Sequence, residues 1–328
     1  MTLVDDGVET RMTQEHTAAE RPGRGPAPPR GAGLLTAALG AFCATVALLL
    51  PLVAAPRLAV LPAELRQTWT LTDPAGTYLD TTHWRTREDV EVVRSTDLVG
   101  APVPGEPDLL ALAVTTDTGS PLGPIGHLEH RTVVDRATGW TVDCCGADTT
   151  GRSGRVGLWP PGAEEAEFPF RDPDTGAAPR MRLDGADEVG GLAVHRYTQQ
   201  VPPTRVPGSV RDVPASVLDL DGGGTVRAER WVEVTRTYWV EPTSGQVVDL
   251  AEQRRETLRT VDGDHERLLL DADLALEPGQ AAGAVHRAGE RARLLAAVRG
   301  WLPLLLGVLG AALVATGTVL ARRAARTD

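Results

Sequence analysis

Two adjacent cysteines, Cys144 and Cys145, carry the most distinctive chemistry in this chain. Oxidised to each other they close an eight-membered vicinal ring; reduced, they are two thiols in a strand or turn. The third cysteine, Cys43, sits in an apolar run, and no CxxC pair or zinc-type spacing is present. His127 and His130 frame His-Leu-Glu-His, a spacing that on a strand puts the two rings on opposite faces and so makes a poor metal site. Asp219-Leu-Asp-Gly222 opens like a calcium loop, but its twelfth position is Arg230 rather than glutamate. Asp271 and Asp273 share one face if Leu268–Leu276 is a strand, which reads as a solvated face. No nucleophile elbow, phosphate loop, HExxH or dinucleotide fingerprint occurs. The sequence therefore predicts no catalytic residue, no cofactor and no metal, and the chain is not expected to be an enzyme.

The elements that must position these residues begin with two uncharged apolar stretches. One spans residues 31–56 and the other 301–321. A helix rises ~1.5 Å per residue and bilayer hydrocarbon is ~30 Å thick, so each is long enough to cross. Arg11, Arg21, Arg24 and Arg30 precede the first span, against Arg57 and Arg66 after it; Arg322, Arg323 and Arg326 follow the second. This bias predicts both termini in the cytoplasm and the intervening domain outside. A competing reading makes the first span a cleaved signal peptide, opposed by its length and by Pro56 immediately after the small residues Ala54 and Ala55. Residues 1–30 are rich in Pro, Gly and charge and are expected to be disordered; residues 322–328 form a short basic tail.

All 33 basic residues are arginine, a composition bias, against 44 acidic residues. The net charge of −11 disfavours binding to nucleic acid. Between the spans, Val90–Val93, Leu109–Val114 and Thr132–Asp135 read as strands. In Trp231–Glu241 the row Val232, Val234, Arg236, Tyr238, Val240 alternates with Trp231, Glu233, Thr235, Thr237, Trp239, the pattern of a half-buried antiparallel strand. Val134–Asp143 and Val240–Asp249 share V-[DE]-x-x-[TS]-G-x-x-V-D. The shared pattern predicts two tight turns with Gly139 and Gly245 at positive φ, arising either from a duplicated half or from a common turn used twice. The Pro- and Gly-rich stretch around Leu158–Gly176 and Val201–Gly208 reads as irregular loop. Pro278 fits the first turn of a helix that runs from Gly279 through a juxtamembrane segment, 279–300, into the second span, with Trp301 at the interface. The aliphatic content suits either a packed β core or a lipid-sized cavity within a curved sheet.

Several stretches together carry a family resemblance. They are Ala55–Pro62 (APRLAVLP), Gly76–Asp80 (GTYLD), Val142–Gly146 (VDCCG), Phe168-Pro-Phe170 with Asp172-Pro173, Gln200–Arg205 (QVPPTR), Thr237–Pro242 (TYWVEP) and Leu270–Leu274 (LDADL). In these the chain resembles the actinobacterial porin PorA family, departing from it at Arg171, where an aromatic residue is expected. The resemblance implies a cell-envelope role with membrane lipid as the partner, other envelope membrane proteins as further partners, and no transferable catalytic residue. The expected fold is mainly β (α+β): a large antiparallel extracytoplasmic domain, 57–278, flanked by an N-terminal and a C-terminal transmembrane helix. The expected function is binding or moving an envelope lipid, with a non-catalytic scaffold or accessory subunit as the alternative and an oligomeric pore third.

Overall fold

A computed structural model describes residues 30–148, 154–163 and 165–326; the expected disordered N-terminal tail lies outside them. The chain divides into two compact units, one formed by the helical residues up to Thr45 and from Leu306 onward, the other by Val46–Leu305.

In the first unit α1 (Arg30–Leu49) packs against α4 (Leu302–Ala324) through glycines seven residues apart on each helix. Gly33 meets Gly317, and Gly40 meets Gly310, in antiparallel register. A Cβ on Gly40 would lie 2.6 Å from the Val314 amide nitrogen and 2.7 Å from the Gly310 carbonyl oxygen. Nothing larger than hydrogen fits, the device by which helices approach closely where no hydrophobic effect drives them together. Leu34, Leu35, Leu39, Phe42, Val308 and Leu309 face outward.

Both apolar helices carry a π-type turn next to a proline. Leu50–Ala54 contains Pro51 and leads into the short α2 (Ala55–Leu58); Ala297–Trp301 joins α3 (Pro278–Ala296) to α4, with Pro303 just beyond. Proline lacks an N–H and crowds the carbonyl four residues earlier, so the ladder slips by one residue. The two π-turns pack on each other. The expected helix start at Pro278 is seen, and helical residues run on to Ala324.

The second unit is an antiparallel sheet of eleven strands. These are β1 (Leu65–Asp80), β2 (Arg85–Val103), β3 (Glu106–Ser120), β4 (Gly123–Asp135), β5 (Glu167–Pro169), β6 (Arg180–Val189), β7 (Leu192–Arg205), β8 (Arg211–Pro214), β9 (Thr225–Glu241), β10 (Gln246–Thr260) and β11 (Glu266–Leu276). Their order is β4-β3-β2-β1-β11-β10-β9-β7-β6-β5, with β8 on β9. The two edges are joined by single bridges. Val134 pairs with Thr141, Trp140 with Arg155, and Arg155 with Phe170, whose amide donates to the Pro179 carbonyl at 3.1 Å, beside β6. A chain of single backbone bridges thereby joins the two edges and curls the sheet into a barrel.

The strands foreseen at residues 90–93, 109–114, 132–135 and 231–241 are present, the first three as parts of much longer strands. The outward positions are Thr, Arg, Asp and Glu, which tolerate a solvated face and mask the strand length. Val201–Arg205, expected as loop, continues β7, whereas Leu158–Gly176 is irregular apart from β5 and yet is core. It enters the barrel as a strap whose Trp159, Phe168 and Phe170 are all at most 2% exposed. Trp159 lies 5.0 Å from Tyr238, 5.7 Å from Tyr197 and 5.8 Å from Phe170, ring centre to ring centre. Of the six tryptophans between the spans, Trp69 and Trp159 are the fully buried ones.

The repeated turn motif proves to be two equal turns clamping this strap. Asp135 accepts from the amides of Ala137 and Thr138, and Glu241 from those of Thr243 and Ser244. Gly139 (φ 72°) and Gly245 (φ 70°) complete them. A Cβ on Gly139 would meet the Leu158 carbonyl at 3.1 Å; one on Gly245 would run into the Trp159 carbonyl and lie 2.8 Å from Pro160. Gly245 opens a full hairpin between β9 and β10, whereas the turn at Gly139 leads only into bridge pairs, so the shared motif marks a common turn rather than matching halves. Gly245→Ala combines a positive-φ cost of ~1–3 kcal/mol with this backbone collision. Its expected outcome is loss of the folded barrel or a large drop in thermal midpoint, read by circular dichroism melting; a change within about 1 °C would show that the strap is not clamped there.

A charge-filled barrel and a cleft at its mouth

The inward rows of β2, β9 and β10 bring arginines and carboxylates together inside the barrel. On β10 the row is Leu250, Glu252, Arg254, Glu256, Leu258; on β9 it includes Arg236 between Val234 and Tyr238; β2 contributes Arg94, and the strap contributes Asp172 and Asp174. Arg254 is fully buried and reaches three carboxylates: Asp174 at 2.7 Å, Glu252 at 2.9 Å and Glu256 at 2.5 Å. Arg236 holds Asp172 at 2.6 Å and Glu252 at 3.1 Å. Arg230 holds Glu256 at 2.6 Å and Asp174 at 2.7 Å. Arg94 lies 3.6 Å from Asp174 and 3.8 Å from Glu252, and donates to the Thr118 hydroxyl at 2.8 Å. Four cations thus face four anions. Gln199, wholly buried, donates to the carbonyls of Phe170 and Pro179 and so ties the strap to β7.

Burial pushes the Glu252 carboxyl up, but Arg236, Arg94 and Arg254 outweigh it and hold it down at about 2. Asp174 and Glu256 are likewise pulled below the ordinary carboxylate range against their burial, Asp174 first by Arg254 and Arg94, Glu256 first by Arg254 and Arg230. Arg94 is lowered too, by burial and then by repulsion from Arg254. Burial raises the Tyr238 hydroxyl to about 12. Two cavities adjoin these groups, one of about 80 Å³ beside Arg94, Arg236 and Glu252 and one of about 270 Å³ beside Arg94, Asp174, Arg230 and Glu256.

A much larger cleft, about 730 Å³, opens where β1, the strap and α3 meet. Leu61, Leu65, Trp69, Trp159, Val247 and Leu276 supply its apolar wall; Arg66, Arg287 and Arg291 supply charge. Gln280, Gly283, Ala284, Arg287 and Arg291 form one stripe of α3, while Ala288 on another stripe packs with Val194 and Val248. The Gln280 side chain accepts from the Thr70 amide at 3.1 Å and fixes the start of α3 against β1.

Cys144 and Cys145 stand in the turn after the Thr141 bridge, their sulfurs adjacent and Cys145 at φ 58°. His127 and His130 do fall on opposite faces of β4: His127 is exposed and 2.7 Å from Asp117, whereas His130 points inward beside Arg171 at the small cavity, where burial and that arginine lower its pKa. Asp219 is exposed in a left-handed position after a turn of 3-10 helix, not in a calcium loop. Asp271 and Asp273 share a solvated face, Asp271 pairing with Arg255 at 3.1 Å. Among the described residues no three metal-binding side chains converge. Neither the ion cluster nor the cleft emerges from sequence reasoning; the available signal is an arginine in an otherwise apolar row, as at Arg236.

Arg254→Ala leaves carboxylates buried without a partner and is expected to cost ~3–5 kcal/mol. Replacing Arg236 and Glu252 together by Met and Leu should cost less than the two single changes summed; denaturant melts of the four proteins measure both, and additivity would sink the coupling. Since the Glu252 carboxyl titrates near 2 in the folded protein and an unfolded glutamate at ~4.3, its contribution is complete above about pH 5 and is lost as pH falls from there toward 2; the lowered Asp174 and Glu256 act in the same direction. Thermal midpoints measured from pH 7 to 2.5 should stay level and then fall; an unchanged midpoint at pH 3 would contradict this.

The model of the family described as Porin PorA matches residues 32–319 of the chain. A Porin PorA from Corynebacterium amycolatum is 23% identical, in an alignment covering 66% of this chain and 74% of that protein.

Proposed function

The chain belongs to the Porin PorA family, and on that premise we propose that it is a non-catalytic two-pass envelope membrane protein whose barrel binds an envelope lipid in the cleft beside α3. Two helices are long and apolar enough to cross a bilayer, with mean hydropathies of 2.3 and 2.2. The arginine bias before the first span and after the second supports cytoplasmic termini and an extracytoplasmic barrel. In that oxidising setting the expected state of Cys144 and Cys145 is a vicinal disulfide.

The observation that carries the lipid reading is the cleft. Its volume is that of a small-molecule site, its wall is aliphatic and aromatic, and it is built from the residues that leave and re-enter the apolar helices. Leu61 follows the end of α2 by three residues, and Arg291 precedes Trp301 by ten, ~15 Å along the helix.

The family's name suggests a pore instead. Two observations weigh against one within a single chain. Charged and aromatic side chains fill the barrel. The span hydroxyls of Thr36, Thr45, Thr316 and Thr318 donate to carbonyls of their own helices, so they do not line a water path. A pore would need several copies.

Gly279 faces open space in the cleft, so Gly279→Trp should fill it without disturbing the core. Native mass spectrometry of the full-length protein in mild detergent is expected to show adducts of lipid mass, reduced about tenfold or more by Gly279→Trp. A clean unliganded mass would overturn the lipid reading in favour of a scaffold, and a ladder of oligomers would favour a pore.

A further inference from the structure

The cleft has a charge opposite to that of the protein around it. The chain carries a net charge of −11, yet the charged residues lining the cleft are Arg66, Arg287 and Arg291 against the single carboxylate of Glu277. Inside the barrel Arg94, Arg230, Arg236 and Arg254 each have acids at 2.5–3.8 Å. In the cleft, among the described residues, none of the three has an ion-pair partner, and the one hydrogen bond to protein from this trio runs from Arg291 to the Val60 carbonyl at 3.4 Å. Two of them come from one stripe of α3 a helical turn apart, and the third from β1 across the cleft. Guanidinium groups left unpaired around an apolar pocket form an anion site with a hydrophobic floor.

We infer that the cleft selects an amphiphile whose head carries a phosphate ester: the arginines bind the phosphate and the wall of Leu61, Leu65, Trp69 and Val247 takes the adjoining hydrocarbon. This rests on the lipid-binding reading and narrows it to an anionic class. Binding involves no covalent step. The phosphate comes either from a phospholipid headgroup or from a free phosphate ester, and the chemistry of the three arginines is common to both.

The test uses the full-length protein in detergent micelles with three probes: phosphatidylglycerol, phosphatidylcholine of the same chains, and sn-glycerol 1-phosphate. The comparison protein is Arg66→Gln/Arg287→Gln/Arg291→Gln, whose altered side chains lie at the surface and outside the ion cluster; an unchanged thermal midpoint establishes that it folds. Phosphatidylglycerol is expected to be retained about tenfold more than phosphatidylcholine by the wild type, and that preference should vanish in the triple variant. If glycerol phosphate displaces it at equal concentration, the site takes a free phosphate ester; if not, it takes a lipid. Equal retention of both lipids, or a preference that survives the triple change, overturns the inference while leaving lipid binding intact. Retention of neither lipid overturns both.

Discussion

The structure depends on a balance of charge inside the barrel. Burying any one of Arg94, Arg230, Arg236 or Arg254 alone would cost several kcal/mol, and the same holds for Asp172, Asp174, Glu252 and Glu256. Four of each, interlocked by shared carboxylates, balance one another's charge. Arginine suits this role because its planar fork presents several donors at once: Arg254 reaches Asp174, Glu252 and Glu256 from one buried head. The cluster is specific as well as neutral. Asp172 and Asp174 come from the strap, so the charges pair only when the strap lies inside the sheet.

That coupling links the ion cluster to the closure of the barrel. The same strap carries Trp159, Phe168 and Phe170 into the aromatic core, and its Phe170 is the last of the bridge residues that join β4 to β6. Two turns hold it through Gly139 and Gly245, whose missing side chains leave room for its backbone. A loop rich in proline and glycine therefore acts as the keystone of the fold, held by charges, rings and close backbone contact.

The cleft of about 730 Å³ lies at the mouth, while the cavities among the interior charges measure about 80 and 270 Å³. The cleft lies between β1, the strap and α3, which is tied to β1 through Gln280, and its three arginines outnumber its one carboxylate, Glu277. The proline-linked π-turns meet just where the two apolar helices leave this unit. The site is thus composed from the barrel, the strap and the helix that becomes the second span.

Composition and period determined a good deal. Two uncharged runs are apolar for long enough to span hydrocarbon, and the alternation in Trp231–Glu241 set which row of β9 turns inward, Arg236 included. Positive-φ glycines after an acidic cap announced both turns. Tertiary structure alone decided what those features are for. Glu252, Arg254 and Glu256 have the two-residue period of a solvated face, and period cannot tell solvent from a closed polar interior; only the curvature that brings β2, β9, β10 and the strap together makes them partners. Likewise the glycines at 33, 40, 310 and 317 have meaning only once the two helices lie antiparallel. The anion site joins Arg66 to Arg287 and Arg291 across more than two hundred residues of chain, a distance over which no local pattern carries information.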